Sequence, residues 1–428
     1  MRLRHFLASA ALIGAGVMLL STESHAASAD PATPLDTVGS VPGWSAFLDG
    51  LRGLPDEVLA RLPEDLRGDP QVRAEVGRLA LSAVAAATIS ALASDPDHPV
   101  FIPYLNNYMT IGQPNADTNY RAATIAPGGT YRLRGLRGSM NQARLMETAP
   151  ASQQAAGSRP VHDFNALKVD AEGHYDVILS PERPKGYTGD WWQLAPATNM
   201  LLVRMVGSEW GKEREPTLSI ERLDVPATRP RPPAQVLEAR LRGIPAAADF
   251  SALVLIDRPG RLREEGFVNK LKSVDMAALG GLAGQFYYEG VYDLKDDEAL
   301  IIETPVPDKC TYRSLILTNE IYETTDWYNN QSSLNGSQAP VDKDGVLRIV
   351  VSAKDPGIAN WLDTAGYPSG VIQGRWVGCS SQPVPTVRKV PLKDVQAVLP
   401  KGTAMVTPEQ REQEVRDRRA TLQQRPLW

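Results

Sequence analysis

"VDAEGHYDVILSPERP" at 169–184 aligns without gaps to "VDKDGVLRIVVSAKDP" at 341–356, and this pairing decides the reading of the fold. Val, Asp, Gly, Ser and Pro recur at equal positions, with apolar residues in register between them. An acidic-Gly turn feeding a run of β-branched residues predicts one strand after one tight turn in each copy. The echo extends both ways. Upstream, Thr130-Tyr131-Arg132 corresponds to Thr311-Tyr312-Arg313; downstream, Arg204-Met205-Val206-Gly207 corresponds to Arg375-Trp376-Val377-Gly378. Three blocks in one order favour a duplicated β-module over the alternative that any acidic-Gly turn looks alike.

Working outward, short β-branched and aromatic runs at 130–133, 175–179, 200–206, 218–223, 300–303, 314–317, 347–351 and 371–377 are divided by glycine, proline and aspartate. This spacing predicts a mainly β chain: two jelly-roll-like or β-sandwich modules with flanking and inserted α-helices. The expected segments are a leader at 1–26, a lead-in with short helices at 27–68, and a helix at 69–95 capped by Asp69 and Pro70. The first β-module follows at 96–228. A helical insert at 229–295, with helices at 234–242 and 261–279, begins at the proline-rich "TRPRPP". The second module takes 296–400. Thr407-Pro408-Glu409-Gln410 matches a capping box and starts a nearly all-polar helix within 401–428, expected to be solvated or to reach another subunit.

Arg2, Arg4, an apolar run from Phe6 to Leu20 and the small-x-small pattern Ser24-His25-Ala26 read as a secretory signal cleaved after Ala26. The run falls short of the roughly 20 residues a membrane span needs, and no later stretch is expected to be long and apolar enough. A periplasmic or secreted location follows. Formal net charge is −5, and losing Arg2, Arg4 and Glu23 with the leader makes the rest slightly more acidic. That balance argues against nucleic acid, which demands a basic footprint. Cys310 and Cys379 are the two cysteines; a disulfide between them and two buried free thiols both remain open.

After the leader only His98, His162 and His174 occur, without His-x-His or His-Glu-x-x-His spacing, so no metal site is predicted. There is no Gly-x-Ser-x-Gly elbow, no Gly-x-Gly-x-x-Gly after a strand and no P-loop, so no cofactor is predicted. Chemistry would rest on carboxylates, tyrosines, arginines and amides, which suits proton transfer rather than redox. Two stretches have that mixture. "YLNNYMTIGQPNADTNYR" (104–121) offers Asn115, Asp117, Tyr120 and Arg121, although Asn-Asp clusters beside proline are also ordinary turns. "NEIYETTDWYNNQSSLNGSQAP" (319–340) with "DPGIANWLDTAGYPSGVIQGRW" (355–376) offers Tyr322, Asp326, Trp327, Asn335, Asn360, Trp361, Asp363, Arg375 and Trp376. Tryptophan walls with a few polar groups suit a small-molecule site; a core tryptophan cluster is the alternative. The paired Trp191-Trp192 could stack on sugars but more often such a pair closes a sandwich end.

The second stretch, with Ser333, Asn335, Asp355-Pro356-Gly357, Asn360-Trp361-Leu362-Asp363, Gly366 and Arg375-Trp376, resembles the C-terminal module called domain of unknown function 1214. "IGQPNADTNYRAATIAPGGTYRLRG" resembles the N-terminal part of such proteins. The resemblance implies a β-sandwich or jelly-roll core, frequent export and frequent encoding near catabolic genes, and it implies no reaction. The connection "GGLAGQFYYEGVYDL" (280–294) departs from it.

These readings predict an exported protein acting on a small, largely apolar, oxygenated compound by cofactor-free elimination, isomerisation or hydrolysis. Asp363 or Asp326 would transfer the proton, Tyr120 and Tyr322 would serve as acids, and Arg121 and Arg375 would clamp an anion. A carboxylate buried against tryptophan would have a raised pKa suited to this work. A ligand-binding protein without turnover and a structural envelope protein are the alternatives, and the terminal helices are candidate surfaces for self-association.

Overall fold

The computed structural model describes residues 40–149, 160–275 and 284–426. The expected leader, its cleavage site and the lead-in up to residue 39 lie outside them. The described chain begins with α1 (Trp44–Leu51), α2 (Leu54–Arg61), α3 (Glu64–Arg67) and α4 (Pro70–Ala93). α4 starts as its sequence dictates: Asp69 Oδ1 accepts from the backbone N–H of Gln71 at 2.7 Å and of Val72 at 3.4 Å, with Pro70 in the first turn.

The first module follows as β1 (Ile102–Pro103), β2 (Thr118–Thr124), β3 (Tyr131–Leu136), β4 (Gln142–Thr148), β5 (Val161–Asp163), β6 (His174–Ser180), β7 (Asp190–Gln193), β8 (Met200–Val206) and β9 (Ser219–Arg222). Then come α5 (Ala234–Leu253) and α6 (Arg258–Glu264). The second module comprises β10 (Lys272–Asp275), β11 (Gln285–Asp293), β12 (Glu298–Pro305), β13 (Cys310–Leu317), β14 (Ser333–Asn335), β15 (Val346–Ser352), β16 (Trp361–Asp363), β17 (Ser369–Cys379) and β18 (Thr386–Pro391). The short α7 (Val395–Val398) and α8 (Pro408–Gln423) close the described chain.

Each module is a sandwich of a five-stranded and a four-stranded sheet. The first has the orders β1-β2-β8-β4-β5 and β7-β6-β3-β9; the second has β10-β11-β17-β13-β14 and β16-β15-β12-β18. Adding nine to every strand number of the first module gives the second, so the duplication is complete at the level of topology. Because side chains alternate along a strand, one face of each sheet turns inward. Leu201, Val203 and Met205 meet Leu133, Val177 and Leu179 in the first core; Ile372, Trp376 and Leu315 meet Leu300, Leu347 and Ile349 in the second. A chemical detail is repeated too. Trp191 Nε1 donates to Ser180 Oγ at 3.0 Å, and Trp361 Nε1 donates to Ser352 Oγ at 3.0 Å. In each copy an arginine, Arg183 or Arg411, lies over the indole.

Two of the three echoed blocks coincide with equivalent strands. The opening pair forms β6 and β15, and Arg204 and Arg375 occupy β8 and β17, each directly across from a tyrosine, Tyr120 or Tyr287. The third does not: Thr130–Arg132 leads into β3, whereas Thr311–Arg313 lies in β13, the counterpart of β4. Three matching residues are too few to fix a strand register when the rest of the run differs.

The inserted helices also need correction. α5 runs on to Leu253, through Pro245, and the helix expected over 261–279 stops at Glu264, with Gly266 in the left-handed region at φ 83. The second module therefore begins at β10, not at residue 296. The odd connection at 280–294 contains β11, the neighbour of β17. Gly290 disguised it, yet the strand requires glycine there: an added Cβ would lie 1.8 Å from the Lys270 carbonyl oxygen. α4, against expectation, is long and apolar enough to cross a membrane by length and composition. Here its apolar face packs with α5 on the first five-stranded sheet. α8 has its capping box, Thr407 with Gln410, but it is not merely solvated: Arg411, Arg418 and Leu422 are buried against its own chain. Cys310 and Cys379 are register partners on β13 and β17 and form a disulfide.

Gly374, in the middle of β17, lets the Tyr288 ring lie across the strand, and an added Cβ would meet that ring at 1.9 Å. Gly374→Ala should lower stability by about 1–3 kcal/mol, the usual cost of overpacking. A denaturation midpoint equal to wild type would contradict this packing.

Candidate functional site

The outward faces of the two five-stranded sheets have diverged. On the first, Ala122 of β2 stands across from Leu202 of β8, and both pack beneath α4 and α5. On the second, the same places hold Glu289 of β11 and Gln373 of β17. Likewise Arg144 faces Arg204 in the first copy, whereas Ser314 faces Arg375 in the second. Glu289, Ser314, Gln373 and Arg375 are all buried. Burying polar groups is costly unless each finds partners, so a polar pair replacing the apolar Ala122 and Leu202 needs a reason.

Those partners form a chain across the layer. Gln373 Oε1 accepts from Arg375 Nη2 at 2.7 Å, Gln373 Nε2 donates to the Tyr322 hydroxyl at 3.1 Å, and that hydroxyl reaches Gln113 Oε1 at 3.5 Å. Tyr322 and Gln113 both have left-handed backbones, with φ of 65° and 58°. Such strain in bulky residues costs on the order of 1–3 kcal/mol each and concentrates at functional sites. Arg375 also lies over the Tyr287 ring, 4.9 Å from its centroid. Its Nη1, Gln113 Nε2 and Ser314 Oγ are buried without a hydrogen-bond partner among the described residues. Glu289 is paired with Arg258, beside this chain. Burial pushes the Tyr322 phenol up, so it stays protonated and able to donate.

Next to this chain lies the junction of the modules. Asp117, completely enclosed, accepts from Tyr312 Oη at 2.6 Å, Trp210 Nε1 at 2.8 Å and Asn335 Nδ2 at 2.8 Å. Asn115 Nδ2 donates to the Tyr312 hydroxyl at 2.8 Å, and the Asn115 backbone N–H donates to the Tyr120 hydroxyl at 3.2 Å. Burial pushes the Asp117 carboxyl up while the Tyr312 and Asn335 bonds pull it down. The indole and amide can only donate, so Oδ1 carries no proton and the group acts as an acceptor. Arg418 of α8 stacks on Trp210 with its Cζ 4.6 Å from the ring and donates to the carbonyls of Trp327 and Ser333; burial lowers its pKa to about 10.

Of the residues expected to form the site, Tyr120, Tyr322, Arg375, Asn115, Asp117 and Asn335 converge on this junction. The Arg121 guanidinium is engaged by backbone, donating to the carbonyls of Tyr120 at 3.1 Å and Pro426 at 2.7 Å. Asp326 is exposed and caps its own loop, accepting from the backbone N–H of Tyr328 and Asn329. Trp327 is a core residue among Ala116, Ile316 and Leu422. Trp361 belongs to the repeated Trp-Ser contact. Asn360 ties the carbonyls of Pro340 and Arg348 together at 2.8 and 2.9 Å. Asp363 has a carboxyl pushed up by burial, yet it caps the turn at Ala365 at 2.8 Å. Trp376 points into the second core, with Nε1 donating to the Pro383 carbonyl at 3.0 Å. Gln113 lay within the 104–121 stretch singled out from the sequence, whereas Tyr287, Glu289, Tyr312, Ser314 and Gln373 were missed. The available signal was the apolar-to-polar change between copies, which only a correct alignment of β2 with β11 and β4 with β13 exposes.

Asp170, Glu172 and His174 bring their ligand atoms within 4.8 Å of one another on the exposed turn before β6. Asp170 is already engaged there by the backbone N–H of Glu172 and His174, so the cluster reads as a turn.

No family model and no curated protein matches the chain. Among solved structures it is similar to an uncharacterised protein from Burkholderia cenocepacia, at 26% identity over 82% of this chain and 97% of that one, with a TM-score of 0.72. That likeness extends the two-module fold to a second protein. The VPA0106 protein from Vibrio parahaemolyticus is a weaker likeness, at 12% identity over 73% of this chain and 97% of that one, with a TM-score of 0.42.

A separate cleft of about 390 Å³ lies between α2, α6 and the start of β17, lined by Arg61, Leu66, Arg263, Glu320 and Ser369 among others. Burial, reinforced by Glu75 and Asp69, pushes the Glu320 carboxyl up to about 7. A carboxyl whose folded pKa exceeds its unfolded one stabilises the fold at low pH, and that contribution is lost as pH rises from about 4.5 to about 7. Glu320→Gln should therefore flatten part of the fall in melting temperature between pH 5 and pH 7.5 and be more stable than wild type at pH 8. Parallel melting curves against pH for the two proteins would contradict the shift.

Proposed function

We propose that this chain is an exported enzyme of the domain-of-unknown-function 1214 family, acting without a cofactor on a small oxygenated compound by acid-base chemistry. The leader pattern and the Ser333, Asn335, Asn360-Trp361-Leu362-Asp363 and Arg375-Trp376 matches support export and family. The site is the buried chain Gln113–Tyr322–Gln373–Arg375 with Tyr287, Tyr120 and Tyr312 around it. The observation that carries this reading is the direct contact of two strained residues, Gln113 and Tyr322, beside the buried pair Glu289 and Gln373, whose places the first copy fills with Ala122 and Leu202. Strain and buried polarity are retained together where binding or catalysis needs a fixed geometry.

In this reading Tyr322 is the acid. Its phenol is protonated, held by Gln373, and two side chains from a buried guanidinium that favours its deprotonated form electrostatically. An elimination or isomerisation needs such a donor to protonate a leaving or enolic oxygen. Asp363 and Asp326, the carboxylates first expected to move the proton, serve their own loops instead.

The test begins with mass spectrometry of candidate compounds after incubation with the protein, where a mass or isomer change marks turnover and recovery unchanged marks a binding protein. On an identified substrate, Tyr322→Phe should lower turnover by about 10²–10⁴-fold, the range for loss of a general acid. Asp326→Asn should leave it unchanged. Full turnover in Tyr322→Phe sinks the assignment.

A further inference from the structure

Arg375 is enclosed, and the titratable neighbours that act on it are the phenols of Tyr287, Tyr312 and Tyr120. The nearby carboxylates are committed elsewhere: Glu289 to Arg258, and Asp117 to Tyr312, Asn335 and Trp210. An arginine keeps its proton inside a protein, and this guanidinium, bonded to the Gln373 amide oxygen and the Tyr287 phenol and lying over the Tyr287 ring, has no carboxylate to balance its positive charge. Structures avoid this unless an anion completes the site. The vacant hydrogen-bonding groups fit that requirement. Arg375 Nη1 lacks an acceptor, and directly across the strand pair Ser314 Oγ lacks a partner. At the far end of the chain, Gln113 Nε2 is a third donor without an acceptor.

Resting on the reading of this layer as the ligand site, we propose that it binds a small monocarboxylic acid bearing a second, uncharged oxygen function, that is, a keto or hydroxy acid. The carboxylate sits on Arg375 Nη1 with the Ser314 hydroxyl, and the ketone or hydroxyl oxygen sits toward Gln113 Nε2 and the Tyr322 phenol. One guanidinium balances one negative charge. A phosphate dianion or a dicarboxylate would leave a charge uncompensated at the Gln113 end, where the groups are a neutral amide and a neutral phenol. A simple fatty acid would leave the Gln113 donor unmet, and a buried unmet donor costs free energy.

The class can be tested on the full chain by calorimetry and thermal shift at matched ionic strength, with lactate, pyruvate, acetate, lactamide and inorganic phosphate as probes. Lactate or pyruvate should bind more tightly than acetate, and lactamide and phosphate should bind at least about tenfold more weakly than lactate, the loss expected when a hydrogen bond to a charged group is removed. Arg375→Lys should weaken lactate and acetate alike by about tenfold or more, because a point charge does not replace the planar fork. Gln113→Met should remove the advantage of lactate over acetate and leave acetate binding as it was. Lactamide binding as tightly as lactate, or Arg375→Lys binding lactate unchanged, would overturn the carboxylate assignment while the acid role of Tyr322 stands. Conversely, the expected anion series together with full turnover in Tyr322→Phe keeps the ligand class and removes the proposed chemistry.

Discussion

The enclosed carboxylate of Asp117 is the constraint on which the rest of the molecule depends. Its three donors come from both halves: Trp210 from the loop after β8, Tyr312 from β13 and Asn335 from β14. A carboxyl group so buried is tolerable only when its oxygens are bonded, and the donors are correspondingly held in place. The two sandwiches cannot slide past one another without stripping that carboxylate of its bonds. This is what brings Gln113, from the first module, against Tyr322 of the second. Arg425 adds a further tie, donating to the carbonyls of Ala116 and Asp117 at 3.3 Å while paired with Glu215 at 3.1 Å.

Duplication explains both what is shared and what is specialised. The inner faces, the Trp-Ser contacts and the Tyr-Arg pairs across the central strands are the same in both copies, which marks them as requirements of the sandwich. Where the first copy has Ala122 and Leu202 it meets an apolar helical layer and contributes to the core. Where the second has Glu289 and Gln373 it gives up that apolar burial for a hydrogen-bonded chain. The first copy thus carries α4 and α5 on an apolar face, while the second takes Leu262 of α6 against Val291 and Val371 and keeps a polar chain beside it.

Much of the sandwich was legible because alternation is local. The turn and strand at 169–184 and 341–356 announce themselves, as do the caps at Asp69 and Thr407, since each needs only a handful of adjacent residues. β11 was hidden because Gly290 breaks its pattern, and glycine is there for the sake of the Lys270 carbonyl, which lies outside the run of residues that make the strand. The site was less legible for a related reason. Asp326, Asp363 and Trp361 have striking local chemistry that proves to serve their own turns or the repeated Trp-Ser contact. Gln113 and Gln373 carry no motif; their meaning lies in a left-handed backbone and in a strand neighbour, neither of which is written in the adjacent residues. Arg375 could be singled out from the echoed block, but its lack of a compensating carboxylate is a property of the assembled layer.

The contacts that join the halves span most of the chain, 218 residues from Asp117 to Asn335 and 309 from Ala116 to Arg425. Contacts of such long range form late, because the intervening loop must be closed before they are rewarded. The first sandwich can assemble its own core while the second is still being made, but the polar layer cannot exist until β17, β14 and α8 have all arrived. The polar layer is therefore completed last, as a property of the finished chain rather than of either half, and a molecule stalled with one module folded would leave its donors and acceptors open to water.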